Sequence, residues 1–259
     1  MNKLGISIGV KNVESIPAYA AAGFEVMEIS FSPGTPDELR SFGERALELG
    51  REHGIELWSI HLPFARGLDI SEFDEEKRAL AVQRLADVVG MTKAWGPKVY
   101  VVHGSLEPYP DFERPARILA CAKSLAELQA ACGDIRLALE NLPRTCIARD
   151  ASESLPLSRY CSGLCFDVNH LLRESHEEFL AHMAPQVITT HLSDYDGLDE
   201  KHWMPGAGVV PWKLLYDRLT EAGYEGPWLF ELGANPDGSI LDPVAVISSW
   251  AEASGLEEA

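Results

Sequence analysis

The sequence predicts a single (β/α)8 barrel over residues 1–259, and three observations carry that expectation. Eight short runs rich in apolar, β-branched and aromatic residues recur along the chain, with helical spacing of apolar residues between them. The runs are apolar on both faces, as parallel strands covered by helices are, and do not alternate like a sheet with one wet side. A length of 259 residues at 46% hydrophobic composition suits one closed α/β barrel, which accounts for the strand count better than an open sheet.

In chain order, LGISIGV from Leu4 opens the barrel and precedes a helical segment from Asn12 to Ala22. FEVMEIS from Phe24 leads into Thr35 to His53, ELWSIHL from Glu56 into Asp74 to Trp95, and KVYVVHGS from Lys98 into Phe112 to Cys132. After IRLALEN from Ile135 the helical pattern is weak and short, around Ala151 to Tyr160. GLCFDVNH from Gly163 precedes His176 to Met183, VITTHLS from Val187 precedes Pro211 to Ala222, and PWLFELG from Pro227 precedes Asp242 to Ala253. Leu80, Leu85, Val88 and Val89 illustrate the helical period. Gly23, Gly54, Gly133 and Gly223 each stand between a helical segment and a strand, where a glycine cap is expected. In SEFDEEK, Ser71 or Asp74 is the expected helix cap, with the acids near the positive end of the helix dipole. The C-terminal GLEEA reads as a frayed tail.

Lys and Arg number 22 against 40 Asp and Glu, a formal net charge of −18 with a pI near 4.8. Such a surface repels polyanions, so no nucleic-acid partner is expected. No apolar stretch reaches membrane-spanning length, and MNKLGISIGV reads as a first strand and not as a signal peptide. Cys121, Cys132, Cys146, Cys161 and Cys165 are odd in number, form no CxxC pair and fall mostly in apolar patterns. They read as buried thiols of a reducing compartment, and a cytoplasmic location is expected. The composition is compatible with a homo-oligomer as well as a monomer.

In such barrels the chemistry sits where strands end and the following loops begin. The strand ends read Glu28, His61, His103, Glu140 with Asn141, Asp167 with His170, His191 with Asp194, and Glu231. From the third strand to the eighth, each one ends in Glu, Asp or His. One such residue is ordinary, but six converging on one mouth would repel or lose hydration unless a cation gathers them. A divalent metal is therefore expected. Carboxylate and imidazole without thiolate suit Zn, Mn, Co or Fe(II), with Mn or Zn the leading expectations. Glu140, Asp167, His191 and Glu231 would form one site with open positions for substrate oxygens. His61, His103, His170, Glu200 and His202 remain as further ligands, supporting groups or substrate contacts. The loop after the seventh strand, with Asp194, Asp196, Asp199, Glu200 and His202 before Gly206, Gly208 and Pro211, reads as a lid or wall.

The series SIHLPF, VVHGS, LALENLP, GLCFDVNH, THLSDYDG, HWMPGAGVVPW and WLFELG resembles the xylose-isomerase-like TIM barrel superfamily. That superfamily includes sugar isomerases and epimerases, inositol-catabolism enzymes and endonuclease IV, and the resemblance runs from the first strand to the eighth. In its ketose 3-epimerase branch a Glu, Asp, His, Glu quartet binds one divalent metal, which implies Glu140, Asp167, His191 and Glu231 here. The two glutamates double as acid and base, and a histidine shortly after the aspartate, matched by His170, contacts substrate. The implied activity is a metal-dependent isomerase or epimerase of a ketose or keto-inositol, acting through a metal-stabilised enediolate with Glu140 and Glu231 moving the proton.

Two departures bear on the substrate. An arginine that this branch commonly carries after the seventh strand has no counterpart among Asp194, Asp196, Glu200, Lys201 and His202. There is also no Gly-rich phosphate cradle and no arginine pair at the mouth, so the implied substrate is a free sugar or polyol. The likeness to endonuclease IV implies a different set, nine ligands holding three zinc ions: His61, His103, Glu140, Asp167, His170, His191, Glu200, His202 and Glu231. Only Glu200 departs, standing where that family has an aspartate. A multinuclear phosphodiesterase is thus the alternative, with one metal per chain expected and up to three accommodated. A non-catalytic ligand-binding barrel is a third reading; its mark would be loss of a quartet residue, and none is lost.

Trp203 and Phe64 are candidate substrate contacts, whereas Trp58 and Trp228 read as core. Glu28 suits a structural rim residue and a functional one equally. His53, His176 and His182 fall in helical segments and are expected to face solvent.

Overall fold

The computed structural model describes residues 2–236 and 238–256; the last three residues of the expected tail lie outside them. Eight strands form one parallel sheet: Leu4–Ile8 (β1), Val26–Ser30 (β2), Glu56–His61 (β3), Val99–His103 (β4), Arg136–Glu140 (β5), Gly163–Asp167 (β6), Val187–His191 (β7) and Trp228–Phe230 (β8). Their order is β7-β6-β5-β4-β3-β2-β1-β8. The ring closes just past β7, where Leu192 bridges Phe230 and its N–H donates to the Leu229 carbonyl at 2.8 Å. The helices are Ile16–Ala22 (α1), Pro36–His53 (α2), Glu75–Thr92 (α3), Arg114–Cys132 (α4), Ala151–Leu157 (α5), His176–Met183 (α6), Trp212–Glu221 (α7) and Pro243–Ser254 (α8). Each expected strand and helix is present within a few residues of its expected bounds.

Local chemistry sets these boundaries. Thr35 and Glu38 form a reciprocal capping box at the start of α2, with Pro36 at its first position. Gly54 closes that helix at φ 79°, a left-handed conformation that costs glycine least. Asp74 caps α3 by accepting from Glu76 and Lys77, and Ser71 is instead buried against Asp69. Gly133 does not form the expected left-handed cap: its ψ of −122° turns the chain straight into β5. Helix α5 is short because Pro156 lies inside it and the chain tightens to a 3-10 turn from Ser158. No described helix is long and apolar enough to cross a membrane.

Strand alternation divides the apolar residues into two bodies. Ile6, Ile8, Met27, Ile29, Ile60, Tyr100, Leu139 and Phe166 join the large core between sheet and helices. Val99, Val101, Ala138 and Cys165 form a small cluster of their own. They share strand faces with His103, Glu140 and Asp167, so the barrel interior is apolar below and ionisable at its C-terminal mouth. All five cysteines are free thiols, four of them buried.

A further expectation fails outside the mouth. His53 and His182 are exposed, but His176 is 7% exposed and its Nε2 lies 2.8 Å from the Val168 carbonyl, to which it donates. The reason is helical phase. His176 lies on the same face of α6 as buried Phe179, Leu180 and Met183.

Candidate metal centre

Sheet register brings the site together. His103 pairs with Glu140 across β4 and β5, and Asp167 pairs with His191 across β6 and β7. Glu231 follows β8 directly and is held by its N–H to the Leu192 carbonyl at 3.1 Å. Asn141 ties the ends of β5 and β6, donating to the Asp167 carbonyl at 2.8 Å and accepting from its N–H at 2.9 Å. As a result one ligand atom from each of Glu140, Asp167, His191 and Glu231 lies within 4.8 Å of the others. His191 Nδ1 is 3.3 Å from Glu231 Oε2, 3.4 Å from Glu140 Oε1 and 4.0 Å from Asp167 Oδ2.

The cluster fits a divalent cation on its own evidence. Asp167 Oδ2 and His191 Nδ1 are fully buried, and neither has a hydrogen-bond partner. Such atoms are rare in folded proteins and call for an unseen partner. Both point into the cluster, and a hard or borderline cation bound by carboxylate oxygen and imidazole nitrogen would satisfy them together.

The electrostatics agree. Burial pushes the Asp167 carboxyl up to about 6, helped by Glu140 and Glu231 and opposed by His170. Burial would also raise Glu140, but the imidazoles of His103 and His191 outweigh it and hold that carboxyl well below the usual range. For His191 burial disfavours the cation, yet Cys165, Glu28, Glu231 and Glu140 raise it well above the ordinary imidazole value.

Two further groups flank this centre. His61 Nε2 and His103 Nε2 lie 3.0 and 3.2 Å from the same oxygen, Glu140 Oε2, so His61, His103 and Glu140 form a second candidate ligand set. His170 donates from Nδ1 to the Asn141 carbonyl at 2.9 Å and sets Nε2 2.8 Å from Glu200 Oε1. With an acceptor on each nitrogen the ring holds both protons. Burial alone would lower His170, but Asp167, Glu200 and Glu140 push it up to about 10.

A cavity of about 280 Å³ adjoins this centre, and Asp167 and His191 are not among its lining residues. His61, His103, Glu140, His170, Glu200, His202 and Glu231 line it, and Phe64 walls it, stacked on His103 with centroids 3.9 Å apart. Trp203 is 39% exposed and stands outside the lining. Larger grooves of about 570 and 640 Å³ lie elsewhere on the surface but gather no comparable set of acids and histidines.

The loop after β7 divides its acids between structure and site. Asp194 is buried and accepts from the Tyr195 and Val210 amides and the Trp212 indole, so it folds the loop. Asp196 accepts from the Leu198 and Asp199 amides. Only Glu200 and His202 reach the cavity. Gly208 is required by close approach, since a Cβ there would lie 2.0 Å from the Tyr195 carbonyl oxygen.

An arginine does reach the mouth, from a loop that the sequence reading passed over. Arg144, four residues past Glu140 and at φ 49°, lines the cavity and pairs with Glu107 at 2.6 Å, Asp199 at 2.6 Å and Glu200 at 2.8 Å. It thereby fastens the loops after β4, β5 and β7 to one another. Its position just past a strand end in LENLPRT was the available signal.

Comparison with known proteins follows this geometry. Residues 16–250 match the model of the xylose isomerase-like TIM barrel family. An uncharacterized protein of Methanocaldococcus jannaschii is 24% identical over 194 residues, which span 70% of this chain and 65% of that protein. Among solved structures, a D-tagatose 3-epimerase-like protein superposes with a TM-score of 0.79 at 21% identity, covering 100% of both chains. D-Psicose 3-epimerase with D-tagatose, from Clostridium cellulolyticum H10, gives a TM-score of 0.75 at 15% identity, covering 99% of this chain and 96% of that one. The IOLI protein with a bound zinc atom gives 0.74 at 15% identity, covering 98% and 96%. At these identities the likeness to solved structures is one of fold. The family match spans most of the sequence, and the chain belongs to the xylose isomerase-like TIM barrel family.

Proposed function

We propose that this chain is a divalent-metal-dependent isomerase or epimerase of a neutral ketose or keto-inositol, with Glu140 and Glu231 as its acid–base pair. The observation that carries the reading is the convergence of Glu140, Asp167, His191 and Glu231 around two buried, unpartnered ligand atoms. These four residues would hold one Mn or Zn ion, which when bound would stabilise negative charge developing on a substrate oxygen.

The protein's own groups supply the rest. Glu140 ends β5 and Glu231 directly follows β8, and both line the cavity. One carboxylate takes the proton from carbon and the other returns a proton, to the opposite face in an epimerisation. A substrate oxygen would compete with Glu200 for the Nε2 hydrogen of His170, whose Nδ1 hydrogen is held by the Asn141 carbonyl, and Phe64 covers an apolar edge. Among the cavity's lining residues Glu107, Glu140, Glu200 and Glu231 face Arg144 as the sole Lys or Arg. Such a lining offers several acceptors for hydroxyl hydrogens, which suits a free sugar or polyol. The epimerases of like fold support the same class, and five free thiols suit a cytoplasmic setting.

A second reading rests on one observation, the His61, His103 and Glu140 group. It would suit a multinuclear phosphodiesterase. Against it, Glu200 stands where the endonuclease IV family has an aspartate, and Arg144 and His170 each pair with it at 2.8 Å. Metal content of protein purified without chelators, combined with solvent deuterium exchange into a panel of ketoses and inosones, separates the two. About one equivalent per chain, with exchange that falls roughly 10²–10⁴-fold in E140Q and E231Q, is expected. Nearly three equivalents of zinc with phosphodiester cleavage would overturn the proposal.

A further inference from the structure

The proposed centre uses one nitrogen of His191, and the other faces a carboxylate that lies outside the cavity lining. Glu28 is fully buried in β2, and its Oε1 is 3.0 Å from His191 Nε2. Register explains how it is held. Ser7 pairs with Glu28 across β1 and β2, and Glu28 pairs with Ser59 across β2 and β3, so the three stand at one level of adjacent strands. Ser7 Oγ donates to Glu28 Oε1 at 3.0 Å and Ser59 Oγ donates to Oε2 at 2.8 Å. Each carboxylate oxygen thus has a hydroxyl donor, and the side chain is fixed from both sides.

From this arrangement, which rests on the metal centre proposed above, we infer that Glu28 is a positioning residue for His191. An ionised carboxylate only accepts, so the nitrogen facing it keeps its hydrogen, and the lone pair is left on Nδ1. Nδ1 is the atom that lies 3.3 Å from Glu231 and 3.4 Å from Glu140, whereas Nε2 faces Glu28 at 3.0 Å, and neither ring nitrogen closes a hydrogen bond of standard geometry. The Ser7, Glu28 and Ser59 tier therefore selects the ligating nitrogen and sets the ring plane. A carboxylate behind a metal-bound histidine is a recurrent device, and its loss typically costs 10–100-fold in metal affinity. Glu28 does not touch the substrate in this account; it acts through His191.

The test compares E28Q, which keeps an oxygen acceptor, with E28M, which has similar length and none. Affinity for Co2+ is measured by calorimetric titration, and the visible spectrum of the Co2+-loaded protein reports ligand geometry. Wild type should bind with a spectrum that H191A abolishes. E28M should bind about 10–100-fold more weakly with shifted bands, and E28Q should recover most of the affinity. Equal affinity and identical bands in E28M and wild type would overturn the positioning role while leaving the centre intact. Wild type whose Co2+ binding is indifferent to H191A would overturn the centre and this inference together. A measurement on the wild type keeps the question open to refutation if E28M does not fold. In 15N-histidine spectra of the Zn2+-loaded protein, His191 should keep its hydrogen on Nε2; a hydrogen on Nδ1 with the metal on Nε2 would overturn the inference.

Discussion

Asp167→Asn removes a proposed metal ligand, yet it should strengthen the protein when no metal is bound. Burial raises the Asp167 carboxyl from 3.8 to about 6, so the fold disfavours its ionised form. For an acid raised on folding, the penalty is absent below the unfolded value and complete above the folded one. It therefore grows as pH rises from about 4 to about 6 and persists above that. A shift of about 2 units corresponds to about 3 kcal/mol at most. Part of it is shared with His170, whose Nδ1 lies 3.5 Å from Oδ2, so a gain of about 1–3 kcal/mol is expected for the neutral amide at pH 8. The variant keeps the acceptor that Asp167 Oδ1 offers to the Asn169 amide at 2.7 Å.

In EDTA at pH 8, D167N should accordingly melt roughly 2–10 °C above wild type, and the difference should vanish near pH 4. With Mn2+ or Zn2+ at about 100 times its dissociation constant, wild type gains about 2.7 kcal/mol and the variant does not, so the advantage shrinks or reverses. Thermal and urea unfolding with and without metal read both halves. A metal-free D167N that is less stable than wild type at pH 8, or one that metal stabilises equally, would refute the reasoning.

Two further predictions concern the loops that build the cavity. Glu153 accepts from Arg114 at 2.6–2.9 Å and from the Ala148 amide at 3.0 Å, both side chains being nearly buried. E153A leaves the guanidinium without its counter-charge and should cost about 3–5 kcal/mol in urea unfolding; a loss under about 1 kcal/mol would show the pair to be dispensable. In G208A the new methyl would meet the Tyr195 carbonyl oxygen at 2.0 Å and Asp194 Oδ1 at 2.4 Å, so the loop after β7 must shift. A loss of about 1–3 kcal/mol is expected, and an unchanged melting temperature would contradict that close approach.

What the sequence made legible follows from how directly each feature depends on backbone period. The barrel could be read because eight buried strands leave short runs apolar on both faces, and the helices between them impose a period of about 3.6 on their apolar residues. The rule that barrel chemistry sits at strand ends then selected Glu140, Asp167, His191 and Glu231, and the structure brings these four together. Loop residues resisted the same reading. Asp194 and Glu200 are both acids after β7, yet one turns inward to bind loop amides and the other reaches the cavity, a distinction set by local φ and ψ and not by composition. Arg144 was hidden for the same reason, since its place at the mouth depends on a left-handed backbone at a non-glycine residue. His176 was legible and overlooked: its spacing to Phe179, Leu180 and Met183 put it on the buried face.

The surplus of histidines around Glu140 carries a last consequence. His61, His103, His170 and His191 each place a ring nitrogen within 3.4 Å of one of its oxygens. His61, His170 and His191, each raised above the ordinary imidazole value, supply much of the positive charge that the buried carboxylates require, whereas burial lowers His103. The ligands are also fixed by sheet register and by Asn141, not by the ion itself. A centre so held does not depend on metal to fold, unlike small domains whose binding energy is their folding energy. Metal binding at the proposed centre would then be an exchange, in which the cation displaces protons from a site that already stands.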